Sequence, residues 1–148
     1  MLRNLGSAVC LILLFVACGD DSTGPGQVTM ADLAGTWNLE VYEYSLATDT
    51  TQKADWVQTL GLTGILEIEA DGSFEGTVEF PSSTGYDYGH LTIDADSIYW
   101  NGEASPEWVR FVLAAHLILF WPEPEYVDFD QDGNPEDCFH RIEYSRVQ

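Results

Sequence analysis

The sequence predicts an all-β protein built as an antiparallel up-and-down barrel of eight strands with one short helix. Apolar and polar residues alternate with a period of two, which is typical of strands with one buried and one wet face. Almost all connections between these segments are short, so consecutive strands pair as antiparallel neighbours. Closing such a meander into a barrel removes its exposed edges. The strands are predicted at roughly 36–46, 63–70, 73–80, 86–93, 97–101, 107–113, 116–121 and 138–147.

The chain begins with a single basic residue, Arg3, followed by an apolar run over 5–17. A membrane-spanning helix needs about 20 apolar residues, whereas a shorter run at the N-terminus is typical of a signal peptide. We therefore predict that residues 1–17 are a signal peptide and are absent from the mature protein.

The four residues 15-FVAC-18 resemble a bacterial lipobox, in which small residues precede a cysteine that becomes the acylated N-terminus. The resemblance implies a lipoprotein modified at Cys18, with acyl chains such as palmitate. It also implies a place in the bacterial cell envelope, anchored to the outer membrane. The alternative is a plain secretory signal that is cut near Cys18.

Residues 18–27 contain Gly, Pro, Ser and Asp and little that could enter a core, so we predict a flexible lipidated tether. Residues 28–148 then form the folded domain. Roughly 120 residues are enough for one hydrophobic core and too few for two.

The composition is strongly acidic. Loss of Arg3 with the signal peptide leaves four basic residues against 25 acidic ones. Such a surface repels polyanions, which argues against nucleic-acid binding and against attraction to anionic lipid headgroups. The predicted contact with the membrane is therefore made by the acyl chains alone.

The segment 64–80 predicts the first clear hairpin. Ile68 and Phe74 can share one face only if the loop between the strands has an odd number of residues. A three-residue loop with Gly72 in a left-handed conformation satisfies this parity. A second hairpin is predicted over 89–100, with its turn at Asp-Ala-Asp-Ser.

The run 108–121 is apolar on almost every face and would suit either a buried helix or two strands. Flanking prolines and many β-branched and aromatic residues favour two strands that turn near residues 114–116. The short helix is instead predicted within 48–61, where a threonine could cap it, Trp56 and Leu60 lie one turn apart and Gly61 could end it.

At 32-DLAGTWNLEVYE-43 the chain resembles the lipocalin superfamily, in which a Gly-x-Trp motif opens the first strand. Together with 64-GILEIEADGSF-74, 117-LILFW-121, 127-VDFDQDG-133 and a terminal arginine, it is similar to small lipocalin-like domains of bacterial lipoproteins. The resemblance implies a lipocalin-like β-barrel over most of 31–148. It also implies a structural barrel base of Gly35, Trp37 and Arg146, with the guanidinium over the indole. The alternative is a simple core tryptophan and a solvated arginine.

The lipocalin resemblance implies a small apolar ligand in the barrel. An eight-stranded barrel can hold one small ligand or be filled by its own side chains. Large inward candidates favour a filled interior, with a ligand cavity as the alternative. These candidates are Phe74, Phe80, Trp100, Phe111, Phe120 and Trp121.

An acidic loop at 128–137 predicts a calcium site. Its candidate ligands alternate around a glycine and are Asp128, Asp130, Asp132, Asn134 and Glu136. Calcium takes six to eight oxygen ligands from a flexible loop. An EF-hand is excluded because position twelve is Phe139 and the flanks are strands. The remaining alternatives are a structural calcium loop and a solvated acidic turn.

No catalytic constellation stands out. Cys138 and His140 share a strand face, but two ligands do not make a metal site, and we expect a buried thiol beside a partly exposed histidine. The chain has no Gly-x-Ser-x-Gly motif and no histidine-rich metal motif. We therefore expect a non-catalytic binding module that takes a small apolar ligand; the alternative is a ligand-free protein-interaction or inhibitor domain.

Overall fold

The computed structural model describes residues 27–103, 106–130 and 132–148. These residues form two short helices and ten strands. The helices are α1 (Met30–Leu33) and α2 (Trp56–Leu60). The strands are β1 (Gly35–Leu46), β2 (Asp49–Asp55), β3 (Thr63–Ile68), β4 (Ser73–Phe80), β5 (Ser83–Asp94), β6 (Ser97–Gly102), β7 (Pro106–Leu113), β8 (His116–Phe120), β9 (Glu125–Val127) and β10 (Glu136–Arg146).

The sheet closes on itself. Its strand order is β2-β1-β3-β4-β5-β6-β7-β8-β10-β9, and β1 also pairs with β10. Eight antiparallel strands therefore make a closed up-and-down barrel, which confirms the predicted fold class. The sequence did not predict β2 and β9, which pair with β1 and β10 at one end of the barrel.

The two neighbours of β1 differ in how far they follow it. The ladder with β10 runs from Trp37, opposite Arg146, to Leu46, opposite Cys138. The ladder with β3 covers only Gly35–Asn38 of β1. Beyond that point β1 pairs with β2 instead.

The first hairpin has the predicted three-residue loop. The Glu69 N–H donates to the Ser73 carbonyl across 2.8 Å, and Gly72 has a φ of 93°. Ile68 lies opposite Phe74 and both side chains are buried. The parity argument is therefore confirmed.

The structures of the second hairpin and of the apolar run also agree with the prediction from sequence. Ile93 lies opposite Ile98, with Ala95 at a φ of 55° in the turn. The run 108–121 is two strands, not a helix, since Leu113 lies opposite Leu117 across a turn at residues 114–115.

The predicted helix is present, but its cap is not a threonine. Asp55 is the N-cap, and its carboxylate accepts from the Val57 N–H across 3.0 Å. Thr48 lies in the turn between β1 and β2, and Thr50 and Thr51 belong to β2, which pairs with the end of β1. Gly61 ends the helix at a φ of 70°, as expected.

One end of the barrel is closed around Trp37, whose side chain is 1% exposed. Its indole N–H donates to the Leu33 carbonyl of α1 across 2.9 Å. The guanidinium carbon of Arg146 lies 4.3 Å from the indole centroid, and the guanidinium also donates to the Ala34 carbonyl across 2.7 Å. Gly35 has a φ of 140° and lies against Arg146, where a Cβ would come within 3.0 Å of Nη1. The three residues of the proposed base are thus in mutual contact.

Above this base the interior is filled by alternate residues of every strand. Its members include Leu66, Ile68, Phe74, Leu91, Ile98, Val109, Phe111, Leu117 and Leu119. One inward expectation is wrong: Phe120 lies opposite Arg110 and Arg141, on the outer face. The alternation explains this, because Leu119 is fully buried and its neighbour must face the other way.

We expect Trp37→Ala to lower the free energy of unfolding by about 3 to 5 kcal/mol, since it removes both a fully buried ring and the surface that carries Arg146. Urea denaturation measures the change. Trp108→Ala is the matched control, because that indole is 49% exposed on the outer face. Equal denaturation midpoints for Trp37→Ala and the parent would contradict a structural role for the base.

Candidate functional site

The end of the barrel opposite Trp37 contains a cavity of about 300 Å³. Inward glycines at Gly76 and Gly85 leave space there, because a larger side chain at either position would project into the interior. Aromatic rings form much of the wall: Tyr42, Phe80, Trp100, Trp121 and Tyr144. The barrel interior is therefore filled at its base and open at its other end, and the expected filled core is only half correct.

Two acidic side chains of the wall are held by tryptophans. The Trp121 indole N–H donates to Glu107 Oε1 across 2.6 Å, and the Trp100 indole N–H donates to Asp87 Oδ2 across 2.7 Å. Asp87 also accepts the Glu103 backbone N–H at Oδ1 across 2.8 Å. Each carboxylate is thus positioned by neutral donors.

Gly102 makes room for one of these carboxylates. A Cβ at this position would lie 2.4 Å from both carboxylate oxygens of Asp87. Any larger residue would displace the acid, so the glycine on β6 is part of how the wall is built.

The third acid is bonded to a buried histidine. His140 is 6% exposed and its ring stacks on Tyr44 and Trp121, at 4.5 Å between centroids in both cases. Its Nδ1 lies 3.1 Å from Glu125 Oε1. Because a carboxylate only accepts, Nδ1 carries the proton. Nε2 is buried and has no hydrogen-bond partner among the described residues.

Burial acts to raise the pKa of Glu125. The hydrogen bond and the attraction from His140, together with a hydrogen bond from the Tyr44 hydroxyl, outweigh burial and lower that pKa below its ordinary value. Burial also raises the pKa of Tyr44 and of Tyr144, so both phenols are neutral. Glu125 is therefore an ionised acid held on two sides.

Cys138 and His140 point to the same side of β10, as predicted, and the thiol is fully buried. The expected partial exposure of His140 is wrong, because the same alternation that buries Cys138 buries His140 two residues later. Burial, followed by the nearby acids, raises the pKa of the thiol, which therefore stays protonated.

The acidic loop joins β9 to β10 at the cavity end of the barrel. Carboxylate oxygens of Asp128, Asp130 and Glu136 lie within 4.8 Å of one another. Oδ1 of Asp128 is buried without a partner among the described residues. This donor set fits a hard cation such as calcium, which would use Asp128, Asp130 and Glu136 as oxygen ligands.

Asp132, a fourth predicted ligand, is not part of this cluster and is bonded to Asn134, the fifth. The backbone N–H and side-chain amide of Asn134 donate to Asp132 Oδ1 across 2.8 and 2.9 Å. Asp132 is thus occupied by a local turn instead of joining the three clustered acids. Such short-range bonds are common for Asp and Asn in turns.

The remaining predicted site residues are elsewhere. Gly35, Trp37 and Arg146 close the opposite end of the barrel and do not line the cavity. Cys18 lies outside the described residues, as do the predicted signal peptide and nearly all of the predicted tether. Within the described ranges, no helix has the length and apolarity needed to cross a membrane.

The sequence analysis missed the cavity acids, although the signal was present. Glu107 precedes Val109 and Phe111 at a spacing of two, so it shares their inward face. Asp87 likewise precedes Gly89 and Leu91. An acidic residue that falls on the inward positions of a predicted strand is unusual even in an acidic chain, and this pattern would have predicted both cavity acids.

No family model matches this chain, and the search of curated proteins finds no match either.

We expect Glu125→Gln to lower the free energy of unfolding near neutral pH. The lowered pKa means that the ionised carboxylate stabilises the fold above its ordinary pKa of about 4.5, and that this contribution is lost as pH falls through the folded value. The free energies of unfolding of parent and variant, measured by urea denaturation, should therefore converge as the pH falls through the folded pKa of Glu125, which lies below 4.5. Glu123→Gln, which changes an exposed acid nearby, is the control. A constant difference at all pH values would contradict the role given to the Glu125 charge.

Proposed function

We propose that the protein is a lipid-anchored, non-catalytic binding module of the bacterial cell envelope that holds a small molecule in the open end of a lipocalin-like barrel. The observation that carries this proposal is the aromatic-lined cavity opposite Trp37. Small-molecule sites are concave, mostly apolar, and carry a few placed polar groups.

The volume bounds the size of the ligand. About 300 Å³ is at the lower end of the range of roughly 300 to 1,000 Å³ for small-molecule sites. A compact ligand with one ring fits this space better than a long-chain lipid. The half-filled interior is consistent with an eight-stranded barrel, which is wide enough for one small ligand.

The lipocalin-like assignment is supported by the closed up-and-down barrel and by the Arg146 guanidinium over Trp37 in the Gly-Thr-Trp strand. The assignment to the envelope is supported by the signal-like run 1–17 and by 15-FVAC-18, with acylation at Cys18. A tether over 18–27 would then separate the barrel from the outer membrane.

A second candidate is a protein-interaction or inhibitor domain with a structural calcium loop. It is favoured by aromatic side chains on the outer surface, of which Tyr126 is 74%, Tyr86 67% and Tyr88 55% exposed. Exposed aromatic residues are enriched where proteins contact one another.

Native mass spectrometry of the full chain, purified in a nonionic detergent from an extracytoplasmic compartment, tests the binding function. We expect an organic adduct on the parent and none on Gly76→Leu. A Cβ at Gly76 would meet its nearest neighbours at 3.6 Å or more, which is ordinary van der Waals contact, and the remaining atoms of the leucine side chain would extend into the cavity. Glu75→Ala, on the outer face of the same strand, should keep the adduct. A bare parent mass would favour the interaction domain.

Calcium is expected to raise the melting temperature through the cluster of Asp128, Asp130 and Glu136, because it binds only the folded loop. Asp130→Asn should abolish this gain by removing one ligand charge. Asp132→Asn is the matched control and should retain it, since Asp132 bonds to Asn134 instead. A gain that survives Asp130→Asn would place the metal elsewhere.

A further inference from the structure

We propose that the ligand of the cavity is a small organic cation, specifically a protonated amine attached to a compact apolar body. This inference rests on the proposed binding function and names the chemistry of its ligand. It departs from the apolar ligand that the lipocalin resemblance implies, and four features of the cavity wall support it.

The first feature is charge. The wall carries three carboxylates, Asp87, Glu107 and Glu125, and no lysine or arginine. Glu125 is already engaged by hydrogen bonds from His140 and from the Tyr44 hydroxyl. Asp87 and Glu107 accept hydrogen bonds only from indole and backbone N–H groups, which are neutral. Two partly buried carboxylates therefore face the cavity without a countercharge in the described part of the chain.

Burial of an unpaired charge is costly, and a cation in the cavity would offset that cost. The same two carboxylates repel an anionic ligand such as a fatty acid. The wall thus favours cationic over anionic ligands. The acidic surface of the whole chain has the same preference, but the cavity carboxylates act at much shorter range.

The second feature is the aromatic wall. Cations are attracted to the faces of Trp, Tyr and Phe rings, with Trp the strongest. Trp100 and Trp121 also donate their N–H groups to Asp87 and Glu107, which fixes each indole beside a carboxylate. A ligand between these pairs would meet a negative charge and a ring face together.

The third feature is the orphaned nitrogen of His140. Glu125 fixes the proton on Nδ1, so in the neutral ring Nε2 is an acceptor with a free lone pair. The side chain is 6% exposed and lines the cavity. A buried acceptor without a donor is destabilising. An ammonium N–H would satisfy it, which favours a protonated amine over a quaternary ammonium group.

The fourth feature excludes a bare metal ion as the occupant. Ligands of one metal ion lie about 2 to 2.6 Å from it, so their donor atoms are close together. Among the described residues, three acids of the loop have ligand atoms this close together: Asp128, Asp130 and Glu136. The cavity acids and His140 are too widely spaced for a metal and suit a larger, organic cation.

Three ligands that share a phenylethyl body and differ in the charge of the end group provide the test: phenethylamine, 2-phenylethanol and 3-phenylpropionate. Each is titrated into the full chain in nonionic detergent, with calorimetry as the readout and the change in total tryptophan fluorescence, to which Trp100 and Trp121 contribute, as confirmation. We expect saturable binding of the amine, at least about 10-fold weaker binding of the alcohol, and none of the carboxylate. The N-trimethylated amine should bind more weakly than phenethylamine, because it has no N–H for His140.

Glu107→Gln isolates the charge. The glutamine oxygen still accepts the Trp121 N–H, so the wall keeps its shape while one negative charge is removed. Amine affinity should fall about 10-fold and alcohol affinity should not change. Glu123→Gln removes an exposed charge outside the cavity and should leave both affinities unchanged.

The outcomes separate this inference from the binding function beneath it. Alcohol or carboxylate binding as tightly as the amine, or amine binding unaffected by Glu107→Gln, overturns the cationic ligand and leaves a small-molecule module in place. Equal affinity for the quaternary ammonium compound overturns the contact with His140. No binding of any ligand, together with a bare mass in native spectra, overturns both the cationic ligand and the binding function.

Discussion

The pairing of β1 with β10 is the constraint on which the rest of the structure depends. It turns a meander with two open edges into a closed barrel, and it sets Trp37 opposite Arg146. From that register, the alternation of the two strands fixes which side chains point inward along the whole barrel. A slip of one residue would place Arg141 and Glu143 in the interior and expel His140 and Ile142. The packing at the base and the lining of the cavity therefore depend on the same β1–β10 register.

The inward-facing side chains have different roles at the two ends of the barrel. At the base, apolar side chains and a tryptophan fill the space, and their burial stabilises the fold. At the cavity end, inward glycines, ring edges and carboxylates replace that packing. A charged, partly empty interior stabilises a barrel less well than a filled one. The cavity end thus depends on the base for stability, while Gly35, Trp37 and Arg146 of the base do not line the cavity.

The strands could be predicted because their signal is local. The requirement that Ile68 and Phe74 share one face was enough to predict the three-residue loop between them. The apolar run 108–121 forms two strands with a turn close to the predicted residues 114–116. Long-range pairings carry no such signal, so β2 was mistaken for the start of a helix and β9 for part of a loop. The acidic loop was only partly predictable for a related reason. Its spacing identifies acids, but whether Asp132 joins Asp130 or bonds to Asn134 depends on the turn that the loop adopts.

The short ladder between β1 and β3 gives the barrel an uneven wall. Pairing there stops at Asn38, and above it the two strands diverge, with α2 between them in sequence and Trp56 packed on Tyr42 and Tyr44. Side-chain packing replaces backbone hydrogen bonds along this seam, so local opening requires less free energy here than across the long β1–β10 ladder. The seam lies on the cavity side of the molecule. Tyr42 also lines the cavity, so the shape of the cavity wall on this side depends on how three aromatic rings pack and not on a continuous ladder of backbone hydrogen bonds.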